Sequence, residues 1–168
     1  LRSALRAYAL DHDDPAEVLR RLDRKIQYFE AGAMATLIYG IGAPPFDVIR
    51  LSSAGHLPPV LASHRGARVF DLPPDLPVGV DPAAPRRTTP IALAPGDLVL
   101  FYTDGLVERR PEPDGPAFPL DEGLAALPSS VTAQSADLAI MGAINRQLGS
   151  AEPQDDVAVL AVRRVPSG

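Results

Sequence analysis

The sequence predicts an α+β fold in which helices flank a core of antiparallel sheet. Apolar residues recur at helical spacing in two segments before residue 30, and a single helical pattern returns late in the chain. Between and around these, from Met34 onward, short apolar runs are punctuated by Gly and Pro, the pattern of consecutive antiparallel strands. A parallel doubly wound sheet would require helices to alternate with strands, and they do not. At 168 residues the chain can build one domain with its own core. It is read as a single domain, helical over 1–30, with a sheet core and one late helix over 33–163.

Leu1, Ala4, Leu5 and Tyr8 share one face of a short first helix that lacks an N-terminal cap, so its beginning is expected upstream. Asp14, Pro15 and Glu17 form a helix start, and Val18, Leu19, Leu22, Ile26 and Phe29 line one face, which predicts a second helix over 15–29. Segments 34–39 and 46–52 flank a turn at 40–45, and 59–62 and 67–72 flank a turn at 63–66, giving two hairpins. Pro73, Pro74, Pro77, Pro82, Pro85 and Pro90 exclude a central strand from 73–90 and predict a surface excursion. Residues 91–93 then read as an edge strand. Segments 98–102 and 157–162 are apolar at every position, as central strands buried on both faces would be. Between them come a polar, Pro-rich loop over 108–119 and the late helix, with Ile140, Met141, Ile144 and Leu148 on one face, Ser135 or Thr132 as its cap and Gly149 as its stop. The pattern gives roughly six or seven strands in all.

Composition excludes several chemistries. There is no cysteine, which removes disulfides, zinc-thiolate sites and thiol nucleophiles. A net charge of −5 argues against a nucleic-acid surface, and the pairs Arg65 and Arg68, Arg86 and Arg87, and Arg109 and Arg110 read as solvated loop charges. The longest apolar stretch, near 138–144, is too short to span a bilayer, and Arg2 and Arg6 break any signal-peptide core, so a cytoplasmic location is expected. The basic residues are almost all Arg, and with 19 prolines this points to a GC-rich bacterial genome.

Asp104 lies just past the end of one apolar run, while Asp155 and Asp156 lie just before the other. If the two runs are antiparallel neighbours, these carboxylates meet at one rim. Converging carboxylates repel each other unless a cation intervenes, and an oxygen-only set suits Mg or Mn. Taken singly, Asp104 is equally a turn residue before Gly105, and Asp155 and Asp156 an ordinary strand start. His56 reads as a residue that fixes its Gly-His-Leu-Pro-Pro turn rather than as a general acid. Ser53 has no Gly-x-Ser-x-Gly elbow around it, and Asp11 and Asp13, which have the spacing of an aspartyl nucleophile pair, read as helix-capping residues before Pro15.

Tyr102-Thr103-Asp104-Gly105-Leu106-Val107-Glu108 resembles the "YTDGLVE" segment of the SpoIIE-like branch of bacterial metal-dependent protein phosphatases. In the same order, Ala54-Gly55-His56-Leu57-Pro58-Pro59 resembles the family's "AGHPPP", Pro77-Val78-Gly79 its "PLG", Pro95-Gly96-Asp97 its "PGD", and Gln154-Asp155-Asp156-Val157-Ala158-Val159 its "DDxT" ending. Several ordered segments make a specific signal. The resemblance implies an antiparallel β-sandwich flanked by helices, with a two-metal Mn or Mg site at one edge. Asp104 and Asp155 would be the metal-binding, catalytic residues from this part of the chain, with Asp156 the second choice. The implied reaction is hydrolysis of phosphoserine or phosphothreonine without a covalent enzyme intermediate.

The resemblance implies that the chain corresponds to roughly the C-terminal two-thirds of that domain. The family's upstream Gly-Asp-x-x-Asp and Asp-Val-x-Gly-His-Gly segments do not occur in it, position 23 is Asp where Asn is usual, and Ala158 replaces a common Thr. The implied partners are a phosphorylated protein of the anti-sigma-factor antagonist type and an upstream sensor or regulatory domain. Open sheet edges would favour a homodimer. Loss of the upstream ligands leaves an alternative, a degenerate phosphatase-fold binding module, and on either reading the chain alone is expected to be inactive.

Overall fold

The computed structural model describes residues 1–108, 120–148 and 155–165. Its helices are α1 (Arg2–Asp11), α2 (Pro15–Phe29), α3 (Leu120–Ala126) and α4 (Ala136–Gln147). Its strands are β1 (Leu37–Gly42), β2 (Val48–Ala54), β3 (Val60–Ser63), β4 (Gly66–Val69), β5 (Thr89–Ala92), β6 (Leu98–Tyr102) and β7 (Val159–Arg163). They form two antiparallel sheets, ordered β1-β2-β5 and β4-β3-β6-β7, so the fold is α+β with two antiparallel sheets flanked by helices. The chain divides into two compact units, Leu1–His56 with Leu72–Leu93, and Leu57–Asp71 with Ala94–Gly168. Each unit holds one sheet.

In the first unit, Asp14 caps α2 by accepting from the Ala16 amide at 3.3 Å, and Pro15 takes the first helical position. Asp14, not Asp11 or Asp13, is therefore the cap. Leu19, Leu22 and Ile26 pack with Ala54 and Val78, and α1 adds Ala4 and Leu5 to the same cluster. The hairpin of β1 and β2 pairs Leu37 with Ala54 through Gly42 with Ile49, so β1 runs into the stretch expected as turn. As expected, β5 is an edge strand.

The 73–90 segment forms no central strand, but it is not a simple surface excursion. Asp75, Val78, Ala84 and Arg86 are buried in it. Val78 and Ala35 exchange backbone hydrogen bonds at 3.0 and 3.1 Å. The expectation of a solvated Arg86 also fails, whereas Arg87 is exposed as expected. Arg86 reaches Asp23 at 2.7 Å, with side chains 0% and 1% exposed, and also donates to the Leu76 and Pro77 carbonyls. Arg87 pairs with Asp75 at 2.7 Å. Carbonyls of a Pro-rich loop that face the protein need donors, and an arginine fork supplies them where its own charge is matched. Asp23 is thus a central acceptor of this unit, since its other oxygen takes the Gly79 amide at 2.9 Å.

In the second unit, β6 is central and pairs Leu98 with Arg163 through Tyr102 with Val159 of β7. The expected neighbourhood of the two apolar runs is therefore present. The expectation that both are central is not, because β7 lies at the edge of its sheet. Val159 and Ala161 pack against the core, whereas Leu160 and Val162 on the opposite face are 59% and 37% exposed. A strand covered on one face shows this period-two alternation even when both faces are apolar.

The core of this unit joins Val60, Leu98, Leu100, Leu106 and Leu127 to α4. Ser135 caps α4 by accepting from the Leu138 amide at 3.2 Å. Its buried stripe is Ala139, Ala143 and Gln147, while Ile140 and Ile144 are half-buried and Met141 is 54% exposed. Small residues let the helix approach closely; Ile140, Ile144 and Leu148 of the expected face pack against the same core, and Met141 alone of the four turns outward. Gln147 donates to the Gly123 carbonyl at 3.0 Å, tying α4 to α3, a helix the sequence pattern did not reveal. Most of the expected 108–119 loop, the Gly149 stop and Gln154 lie outside the described residues.

Candidate functional site

The rim where β6 ends and β7 begins is built by a change of backbone path at Thr103. After Tyr102 the chain leaves the strand and makes a 3-10 turn, Asp104–Leu106, closed by hydrogen bonds from the Leu106 amide to the Thr103 carbonyl at 3.0 Å and from the Val107 and Glu108 amides to the Asp104 carbonyl, both at 2.8 Å. The Asp104 Oδ1 accepts from the Gly105 amide at 3.0 Å, and the residue is exposed. This is the turn chemistry that Asp followed by Gly favours.

On the facing segment, Asp155 accepts from the Asp156 amide at 2.7 Å, and both acids are exposed. The Thr103 amide donates to the Ala158 carbonyl at 3.0 Å. Its hydroxyl donates to the Asp156 carbonyl at 3.0 Å and accepts from the Ala158 amide at 2.9 Å. Gly105 completes the contact. A Cβ there would lie 2.7 Å from the Asp156 carbonyl oxygen and 3.0 Å from that of Asp155, so only glycine lets the two backbones come so close. The structure thereby brings the Asp104 and Asp155 segments together at one rim of one unit.

Tyr102 supports this rim from below. Its hydroxyl donates to the Pro58 carbonyl at 2.8 Å, and burial pushes the phenol pKa upward. In the other unit, His56 follows Gly55, whose φ of +66° suits glycine and whose amide donates to the Asp75 carbonyl at 2.7 Å. The His56 carbonyl accepts from the Ser53 hydroxyl at 3.3 Å, so Ser53 serves the turn as a donor.

Neither Asp104 nor Asp155 has an ion-pair partner among the described residues. Two exposed carboxylates without a cationic side chain form a donor set suited to a hard divalent cation. Among the described residues, no group of three or more His, Cys, Asp or Glu side chains gathers as a metal site. Thr103 and Tyr102 are the residues that reading by motif missed; both sit inside the matched segment, but their roles are visible only as hydrogen bonds across the sheet.

The profile of the family described as stage II sporulation protein E (SpoIIE) matches residues 1–165. The chain belongs to the SpoIIE family. That family comprises protein serine/threonine phosphatases. This SpoIIE-family chain matches the solved RsbU and RsbW domains of a Mycobacterium tuberculosis protein with 29% identity and a TM-score of 0.77, over 99% of this chain and 47% of that one. It therefore spans about half the length of that structure. It also matches the phosphatase domain of the cell fate determinant SpoIIE from Bacillus subtilis, presoaked in Mn, with 16% identity and a TM-score of 0.60, over 98% of this chain and 71% of that one. A PPM serine/threonine phosphatase from Mycobacterium smegmatis, in complex with cacodylate, matches with 14% identity and a TM-score of 0.67, over 96% and 79% of the two chains. These last two likenesses establish the fold. No helix among the described residues is long and apolar enough to cross a membrane.

Proposed function

We propose that this SpoIIE-family chain carries part of the active site of a metal-dependent protein serine/threonine phosphatase, with Asp104 and Asp155 as ligands for Mn or Mg. The observation that carries the reading is the meeting of these two exposed carboxylate segments at one rim. Asp156 is the second choice for the Asp155 role. When bound, divalent metal supplies charge neutralisation at the phosphoryl oxygens and an acidified water for in-line attack. The chain's own contribution is to bring the two acidic segments together through the hydrogen bonds of Thr103 to Asp156 and Ala158.

The same reading places the chain within one phosphatase domain of a cytoplasmic bacterial regulator. It acts on a phosphorylated protein of the anti-sigma-factor antagonist type under the control of an upstream sensor domain. The likeness to an RsbU-domain structure supports this context. A homodimer suits the open apolar face of β7, where Leu160 and Val162 are exposed.

The test is Asp104→Asn and Asp155→Asn in the full-length protein. Each removes charge with little change in volume, so Mn-dependent hydrolysis of a phosphoserine peptide should fall by at least about a hundredfold with the fold intact. Full activity in either variant rejects the assignment of that residue. A folded full-length protein that binds its partner but shows no turnover selects the alternative, a degenerate binding module.

A further inference from the structure

We infer that Thr103 is a positioning residue that sets the separation of Asp104 and Asp155, an inference that rests on the metal-site reading above. In a regular antiparallel ladder, residues paired through hydrogen bonds exchange both amide and carbonyl. Thr103 and Ala158 stand one step beyond the last ladder pair, Tyr102 with Val159. Only half of the regular exchange occurs there. The Thr103 amide donates to the Ala158 carbonyl, but the Thr103 carbonyl has been diverted to the Leu106 amide, where it opens the turn that carries Asp104. The Ala158 amide would lose its partner at this point. The Thr103 hydroxyl replaces it at 2.9 Å, and the same oxygen donates its proton to the Asp156 carbonyl at 3.0 Å.

One side chain thus lets the backbone leave the strand at Asp104 while keeping the lead-in to β7 attached. The two bonds span 53 and 55 residues of sequence and straddle the 156–158 segment. They fix the 156–158 backbone, which follows directly on Asp155, against the side chain of Thr103, the residue that precedes Asp104. Gly105 closes the same contact from the other side of Asp104, so the acidic residue is bracketed by two neighbours that both touch the 155–156 backbone. Metal affinity depends steeply on ligand separation, because small divalent cations tolerate little deviation from their preferred oxygen distances. A residue that fixes the separation therefore controls affinity without touching the cation.

The experiment compares Thr103→Val, Thr103→Ala, Thr103→Ser and Asp104→Asn in the full-length protein, with Mn2+ alone as the titrant. Amide hydrogen exchange at Ala158 is the second readout. Thr103→Val keeps the branched shape and removes both bonds, so Ala158 exchange should accelerate about tenfold and Mn2+ affinity should fall about tenfold. Thr103→Ala, which also lacks the hydroxyl, should do the same and serves if the valine variant does not fold. Thr103→Ser should restore both readouts to within about twofold of the parent. Unchanged Mn2+ affinity in the valine or alanine variant, or failure of serine to restore it, overturns the positioning role, provided Asp104→Asn has lost Mn2+ binding. Parental Mn2+ affinity in Asp104→Asn overturns the metal-site reading itself.

Discussion

Replacing Asp23 tests the physical account of the first unit most directly. Asp23 and Arg86 are both buried, and Asp23 accepts from Arg86 Nε at 2.8 Å and from the Gly79 amide at 2.9 Å. In Asp23→Asn, volume is kept and one carbonyl oxygen remains for Gly79, so the cost isolates the unpaired guanidinium. Breaking a buried pair from one side costs about 3–5 kcal/mol, and retention of the Gly79 bond places this variant near the lower end, at about 3 kcal/mol. For a chain of this length that corresponds to a fall in Tm of roughly 6–12 °C. Asp23→Ala should cost more, about 4–5 kcal/mol, because the Gly79 amide is orphaned as well. Urea unfolding of the chain and its variants, followed by circular dichroism, measures both differences. The double variant Asp23→Asn with Arg86→Met removes the net buried charge and should cost less than the sum of its two single changes. A loss below about 1 kcal/mol for Asp23→Asn, or strict additivity in the double variant, would refute the account, since it would mean that Arg86 is not held by charge.

Further outcomes follow from the rim. On the proposed metal-site reading, the 168-residue chain alone should show little or no Mn-dependent hydrolysis of a phosphoserine peptide, because among the described residues no group of three or more potential ligands gathers; turnover at rates near those of a complete phosphatase would contradict this. Gly105→Ala should destabilise the second unit by about 1–3 kcal/mol and weaken Mn2+ binding, since the new Cβ must push away the Asp156 carbonyl; an unchanged melting curve would show that the rim yields freely. Tyr102 has its pKa raised by burial, so folded Tyr102 holds its proton where the unfolded chain has lost it. The stabilisation it gives is therefore complete below about pH 10 and is lost as pH rises above that value. Tyr102→Phe should flatten the alkaline fall in the urea midpoint, at a cost of about 1 kcal/mol at neutral pH for the lost Pro58 bond.

Much of the architecture is legible because it follows from local rules. The second helix is marked by its own cap, its proline and its apolar face, and the chain obeys all three. The hairpins are marked by turn residues between alternating runs. What escapes is decided across long separations. An apolar run such as 157–162 does not say whether one or both of its faces will be covered, and β7 is covered on one. The large side chains of the late helix mark its face only in part: Ile140, Ile144 and Leu148 pack against the core, yet its centre is Ala139 and Ala143, because close approach to the sheet is a property of the pair of elements.

The site shows the same division in a sharper form. The meeting of the Asp104 and Asp155 segments is legible from topology because strand ends adjoin in antiparallel pairs, and the register from Leu98 to Tyr102 meets that condition. Thr103 could not be named in that way. A Thr between a strand and an Asp-Gly turn is ordinary in sequence, and its importance arises only because its carbonyl bonds forward to Leu106 while its hydroxyl bonds across to Ala158. Asp23 is the parallel case in the first unit. One altered carboxylate in a helix reads as a minor substitution until Arg86, 63 residues later, is found buried beside it. In both places the side chain supplies a hydrogen-bonding group that the backbone has given up or that a Pro-rich segment requires. The residues that shape these two units are thus found by asking where each backbone amide and carbonyl goes, a question that motif spacing does not pose.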